Sequence, residues 1–354
     1  MSGALAAPGD EAVRTSIALV RERIASLPGH LRDVAERPWD DAAEALGDDV
    51  VVTGVGASAG PARLFAWLIA HRLRRAARFV PLSAFALPVP PEGRTLVIVS
   101  QGISPNARLA LRHARSFERV LVLTSARPAN TGPGQILADV QAAGGTVIVL
   151  PPSEENGTFL RVVGPAVAAL AACLIVERVR STGGGEERGT LARRLGSALA
   201  SAGERALAAA SHVESALFDG PCAMVSVGVD PAVLQAHRWK WLEGLRVPEP
   251  FGWDLLEIAH GPIQSAACPM PFVVLAGASA EPAEEDLVER LGRVIAPGGH
   301  ALVVLRSALA EPFSFVDHDA QLDALLLRVL AERPRDLRSS ASVGPDQPIY
   351  GLGG

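Results

Sequence analysis

Two pairs of proton-handling residues lie close together in the second half of the chain: Lys240 with Glu243, and Glu257 with His260. Lys240 and Glu243 are i and i+3 on a segment that begins at Pro231, so a helix there puts both side chains on one face. A carboxylate and an imidazole that converge on one pocket supply what is needed to open a sugar ring and carry a proton between adjacent carbons. The plainer readings are an ion pair on a solvated helix face and a loop histidine before the turn Gly261-Pro262. Lys240 is also the one lysine among 33 basic residues, the rest being arginine. Chance, or a need for a compact and readily deprotonated ammonium, accounts for its survival.

Two loops in the first half suggest anion binding. Gly54-Val55-Gly56-Ala57-Ser58-Ala59-Gly60-Pro61 follows an apolar run; its glycines allow close backbone approach, Ser58 offers a hydroxyl and Pro61 suits a first helical turn. In Ser100-Gln101-Gly102-Ile103-Ser104-Pro105, Ser104 fits an N-cap and Pro105 the position after it. Each loop would leave a positive helix end ringed by neutral donors, the surroundings a phosphate needs. Capping alone is the competing account of either loop. The corresponding places in the second half hold Asp230 before Pro231, and Glu281, Glu284, Glu285 and Asp286 after PFVVLAG (271–277). Carboxylates there would repel an anion, so any such site is expected in the first half alone. A dinucleotide site is disfavoured: Ala59 stands where the third glycine of GxGxxG belongs, and no acidic residue ends the next strand.

These residues need a scaffold. Short apolar runs at 50–53, 78–82, 95–99, 119–124 and 146–150 read as strands buried on both faces. Helical spacing over 61–77 and 105–117 gives the βαβ alternation of a parallel sheet. The Gly- and charge-rich stretch 181–189 reads as a linker, after which runs at 222–228, 271–277 and 301–306 repeat the pattern. The expected fold is α/β, with two domains of one kind at 34–180 and 190–333, each a five-stranded parallel sheet flanked by helices. An amphipathic helix over Glu11–Ala25, within 1–33, precedes them, and a Pro- and Ser-rich tail at 334–354 follows as an extended lid or strap.

Composition narrows the partners. With 49% apolar and 20% charged residues the chain can build real cores, and a net charge of −5 gives no basic field, so no nucleic-acid partner is expected. The longest apolar run, 165–176, falls short of the roughly 18 residues that span a bilayer, and the N-terminus lacks a secretory pattern. A cytoplasmic protein without a membrane partner is expected. Cysteines at 173, 222 and 268 form no CxxC pair and read as buried thiols; neither a metal nor a cofactor is expected.

WKWLEGLRVPEPFGWDLLEIAHGP (239–262) resembles a segment of the isomerase half of glucosamine-6-phosphate synthase and its tandem sugar isomerase (SIS) domain relatives. The matching features are that family's lysine-leucine-lysine-glutamate segment and its glutamate-x-x-histidine-glycine-proline loop. GVGASAG (54–60) is similar to its GxGTS loop, SQGISPNA (100–107) to its SQSGETADT phosphate loop, VRERIASLPGHL to its leading helix, and PRDLRSSASV (334–343) to its PRNLAKSVTV tail. The amidotransferase domain of the synthase has no counterpart. Carried over residue by residue, the resemblance implies that Gly56, Ser58, Ser100, Gln101 and Ser104 hold a phosphate and that Glu243 moves the proton between C1 and C2. It further implies that Lys240 supports Glu243, that His260 assists ring opening, and that Glu154 or Glu155 closes the site. It also implies a homodimer in which the histidine loop reaches the partner subunit's site.

The chain departs from that family at informative places. Gly102 and Pro105 replace two hydroxyl donors, and Ser339 replaces the lysine that forms a Schiff base with the ketose phosphate in the synthase. One extra residue separates Glu243 from His260, and Trp239, Trp241 and Trp253 flank them, which suits a flatter or larger substrate. The leading expectation is an isomerase, deaminase or deglycase acting on a sugar phosphate or amino-sugar phosphate through enol chemistry. A non-catalytic sugar-phosphate-binding regulator is the rival. A third reading is a substrate without phosphate, recognised by the tryptophans.

Overall fold

The computed structural model describes residues 10–88, 91–151, 155–181, 188–279, 281–338 and 349. α1 (Asp10–Ala35) and α2 (Asp40–Glu44) lead into a first parallel sheet of β1 (Asp49–Gly54), β2 (Ala76–Phe79), β3 (Thr95–Val99), β4 (Arg119–Thr124) and β5 (Thr146–Val149). The spatial order is β2-β1-β3-β4-β5. Val, Leu and Ile fill β1, β3 and β4, which are buried along almost their whole length, as strands covered on both faces must be. α3 (Ala59–Arg72), α4 (Ala107–Arg112), α5 (Gly132–Ala142) and α6 (Val163–Arg180) connect and flank them. The apolar run at 165–176 is the buried body of α6.

α7 (Arg188–Ala209) opens the second half. Its sheet contains β6 (Ala223–Ser226), β7 (Phe251–Asp254), β8 (Pro271–Ala276) and β9 (Ala301–Arg306), ordered β7-β6-β8-β9 and parallel throughout. α8 (Gln235–Leu245), α9 (Pro262–Ser265), α10 (Pro282–Ile295) and α11 (Ser314–Glu332) complete it. Among the described residues this sheet has four strands, not the expected five. The strand that the apolar pattern missed, β7, is only four residues long and carries Gly252 and Asp254 beside its aromatic pair. The expected helix over 105–117 is also shorter: α4 covers only 107–112, followed by a 3₁₀ turn at Ala114–Ser116.

In both sheets the winding reverses beside the first strand, between β1 and β3 and again between β6 and β8. Loops leaving the carboxyl ends of such strands diverge, and the crevice they leave is where open parallel sheets receive ligands.

α1 is longer than the expected Glu11–Ala25 and belongs to both halves. Ile17 and Val20 pack into the core that holds Trp241, Leu322 and Leu326, while Leu27, Leu31 and Val34 pack into the core built on β1 and α6. α3 and α8 also meet across the halves. A Cβ on Gly60 would lie 2.5 Å from the Ala236 backbone nitrogen, and Arg63 Nε donates to Gln235 Oε1 at 2.8 Å. The described part of the tail, 334–338, is extended and straps down: Leu337 N donates to Ser16 Oγ at 3.0 Å, and Phe159 N to Leu337 O at 2.9 Å. Among the described residues no helix is long and apolar enough to cross a membrane.

Candidate active site

The crevice between β1 and β3 gathers most of the expected residues. Gly54 ends β1 where a Cβ would meet the carbonyls of Ser58 and Val99 at 2.8 and 3.0 Å, so only glycine permits the turn into α3. Gly56 takes φ +60°, the left-handed region that glycine enters freely. Ser58 stands at the N-cap of α3, half-buried, with no side-chain capping bond. Ser100 is buried at the end of β3, its N–H continuing the ladder to Leu123 O at 3.0 Å. Neither hydroxyl has a hydrogen-bond partner among the described residues. Ser104 does cap: its Oγ accepts from Ala107 N at 3.3 Å. Ile103, between them, holds φ +50° while 1% exposed, a costly conformation for a β-branched residue.

Glu155, 3% exposed, ties this loop to its surroundings; Glu154 lies outside the described residues. Its Oε1 accepts from Val162 N and Val163 N at 3.0 Å each, and its Oε2 from Gly164 N at 2.7 Å, so the carboxylate fills the amino end of α6. Oε2 also accepts from Gln101 Nε2 at 2.9 Å. Gly164 leaves room for that amide: a Cβ there would sit 2.6 Å from the Gln101 side chain. Arg23 of α1 comes within 4.0 Å of Glu155 and donates to Thr158 Oγ1 at 2.5 Å.

α8 packs against the Gly56–Ser58 turn and carries Glu243 towards the 158–162 loop. Burial pushes the Glu243 carboxyl up to about 7, against the opposing pull of the Arg161 backbone N–H and the charges of Arg161 and Arg246. A carboxyl that changes charge near neutrality suits a proton-transfer group. Arg246 ends α8 in the left-handed region and sets its guanidinium over the Phe159 ring, 4.3 Å from the centroid.

Lys240 does not pair with Glu243. It is 4% exposed and turns to α11, where its Nζ lies 2.8 Å from Asp319 Oδ2 and 2.7 Å from Asp323 Oδ1. Burial disfavours the charge, but the two carboxylates hold the ammonium above its ordinary value, so the solvated ion pair is replaced by a buried one. His237, one turn earlier, joins it through Nδ1 to Asp319 Oδ1 at 3.2 Å. Asp319, Asp323 and His237 escaped the sequence reading. The available signal was the i, i+4 aspartate pair, inside an otherwise apolar helix face.

His260 sits at the end of a 3₁₀ turn, exposed, and makes no side-chain hydrogen bond or ion pair among the described residues. The structure of one chain therefore does not join it to Glu243. In the second half Asp230 Oδ1 accepts from Ala232 N at 2.8 Å, capping its turn as expected. Glu284 instead reaches back to Gly277 N at 3.1 Å, and its other contact is Arg306 Nη1 at 3.4 Å. The strand end, not the amino end of α10, is what it occupies.

No protein-family model and no curated protein matches the sequence. Solved structures do match the fold. The C-terminal domain of glucosamine-fructose-6-phosphate aminotransferase from Francisella tularensis superposes with a TM-score of 0.66 at 13% identity, covering 89% of this chain and 95% of that one. Glucosamine-6-phosphate deaminase from Thermotoga maritima gives 0.65 at 13%, with 89% and 95% covered. Tagatose-6-phosphate ketose/aldose isomerase from Escherichia coli gives 0.57 at 16%, with 98% and 100% covered. The likeness is one of fold, and the structural neighbours are sugar isomerase (SIS) domain proteins, the family that the sequence resembles.

Proposed function

We propose that the chain is an isomerase, deaminase or deglycase acting on a sugar phosphate or amino-sugar phosphate through an enol-type intermediate, with Glu243 as the base. The observation that carries this reading is a half-buried carboxyl, pushed up to about 7, on the helix that packs against the Gly56–Ser58 turn, in a fold whose Ser58 and Ser100 hydroxyls have no hydrogen-bond partner among the described residues. In this reading Gly56, Ser58, Ser100, Gln101 and Ser104 surround the phosphate with neutral donors, Glu155 holding Gln101 in place. Glu243 removes the proton from C2 of the open-chain sugar and returns it to C1. Low local polarity makes the carboxylate more basic than one in water, which strengthens it for a weakly acidic C–H.

Lys240 acts at one remove, pinning α8 to α11, and is a positioning residue. His260, free within its own chain, serves the partner subunit of a homodimer by assisting ring opening. The chain divides into two sugar isomerase-type domains, 34–180 and 190–333, preceded by 1–33, joined by 181–189 and followed by 334–354, and it works in the cytoplasm without a cofactor. The rival reading, a non-catalytic sugar-phosphate-binding regulator, draws support from Gly102 and Pro105, which supply no hydroxyl to the phosphate loop.

The test is turnover of glucosamine-6-phosphate and fructosamine-6-phosphate by the wild type and by Glu243→Gln. A loss of at least about a hundredfold in kcat with binding retained is expected. Equal turnover by both removes Glu243 from the mechanism, and saturable binding without turnover by the wild type favours the regulator.

A further inference from the structure

The buried stripe of α1 runs Val20, Arg23, Leu27 and Leu31, at the i, i+3, i+4 spacing of a helix face turned to a core. One charge interrupts it. Arg23 is 9% exposed, and a guanidinium taken out of water must be paired. Its donors spread over a single loop. Nη1 donates to Thr158 Oγ1 at 2.5 Å and to Leu160 O at 3.3 Å, and Nη2 donates to Asn156 O. Glu155 Oε1, at 4.0 Å from Nε, is the most distant of these partners.

That loop touches both parts of the proposed site. At its start Glu155 receives Gln101 Nε2 of the phosphate loop at 2.9 Å. At its other end Leu160 presses on α8 directly after Glu243: a Cβ on Gly244 would sit 3.2 Å from Leu160 Cδ2. Phe159 carries the Arg246 guanidinium over its ring, 4.3 Å from the centroid. Between the two ends the chain turns at Gly157, which takes φ +93°. Asn156 lies before that turn, and Thr158 and Leu160 after it, so Arg23 bonds the loop on both sides of its most pliable residue.

The planar fork of an arginine reaches acceptors on either side of a turn at once, whereas a lysine offers one point charge. A residue that served α1 as an ion pair alone would need Glu155 closest, and the three loop acceptors are closer. We infer that Arg23 is a positioning residue: by holding 156–160 it fixes the separation between the phosphate loop and Glu243. The inference rests on the roles proposed above for Gln101 and Glu243.

Arg23→Lys, which keeps the charge beside Glu155, tests it in the full chain. Thr158→Val, which deletes one of the acceptors, is the milder variant and moves the same readouts less far. Amide hydrogen exchange is expected to quicken about tenfold in both 155–164 and 243–246, with circular dichroism showing the variants folded. Binding of inorganic phosphate weakens about tenfold, and kcat for glucosamine-6-phosphate falls about ten- to a hundredfold. Added to Glu243→Gln, Arg23→Lys lowers kcat no further, because a carboxylate that is absent cannot be misplaced. Faster exchange in 155–164 with 243–246 unchanged, phosphate affinity equal to that of the wild type, or a full further loss of kcat in the double variant overturns the inference. Turnover by Glu243→Gln equal to that of the wild type removes the proposed base instead, and exchange and phosphate binding then decide on Arg23.

Discussion

A carboxyl that keeps its proton up to about pH 7 is a base only above that pH. If Glu243 carries the reaction, kcat/KM rises with pH through about 7, and the rising limb is absent from residual activity in Glu243→Gln. Stability moves the other way. Between 4.5, where the unfolded chain loses this proton, and 7, where the folded chain does, each rise in pH favours the unfolded state. The cost is fully present above about 7 and amounts to roughly 3 kcal/mol. Urea unfolding at pH 5 and 8 checks it: Glu243→Gln gains on the wild type by roughly 2–3 kcal/mol between the two. Burial also raises Asp323 to about 7, which is why the comparison between variants, not the wild-type slope, isolates Glu243. Lys240 calls for a different experiment. Lys240→Met leaves two carboxylates buried without their cation and should cost about 3–5 kcal/mol in urea unfolding. Asp323→Asn costs less at pH 7, because its carboxyl is already partly protonated. An equal or larger loss for Asp323→Asn contradicts this account of the cluster.

The junction of α3 and α8 sets how the proposed phosphate loop and the proposed base lie relative to each other, and it depends on the absence of one methyl group. Gly60→Ala drives a Cβ into Ala236 backbone, which cannot swing aside as a flexible side chain could. A loss of about 1–3 kcal/mol and a lower melting temperature are expected. Elements of this kind were unevenly legible. The Val- and Leu-rich strands of the first sheet read directly, because strands covered on both faces must be continuously apolar. β7 did not: half-exposed, short and broken by Gly252, it carries no run to read. The Ser58 and Ser100 loops were legible as turns that follow an apolar strand and lead into a helix, since a Gly/Ser turn after an apolar strand is a local signal; that they flank a switch of winding was not, since strand order is set by tertiary pairing. The partner of Lys240 was not, since Asp319 and Asp323 lie some 80 residues away and only tertiary packing selects them over Glu243.

At the scale of the molecule the halves are bound by packing as much as by the chain that joins them. α1 enters both cores, and α3, α6 and α8 meet elements of the opposite half. Cleavage at a protease site placed between Ser181 and Arg188 is therefore expected to leave the two pieces co-eluting with the uncut protein in gel filtration. Separation of the pieces without denaturant contradicts the shared core.

α1 has one further property. Pro28 lies within it and has no amide hydrogen to offer the carbonyl of Ile24, one turn back. Ile24 packs with the second core and Leu27 with the first, so this missing rung falls on the border between them. The helix that both cores share thus lacks one rung where it passes from the second core to the first, and the backbone carbonyl of Ile24 is left without its helical donor at that border.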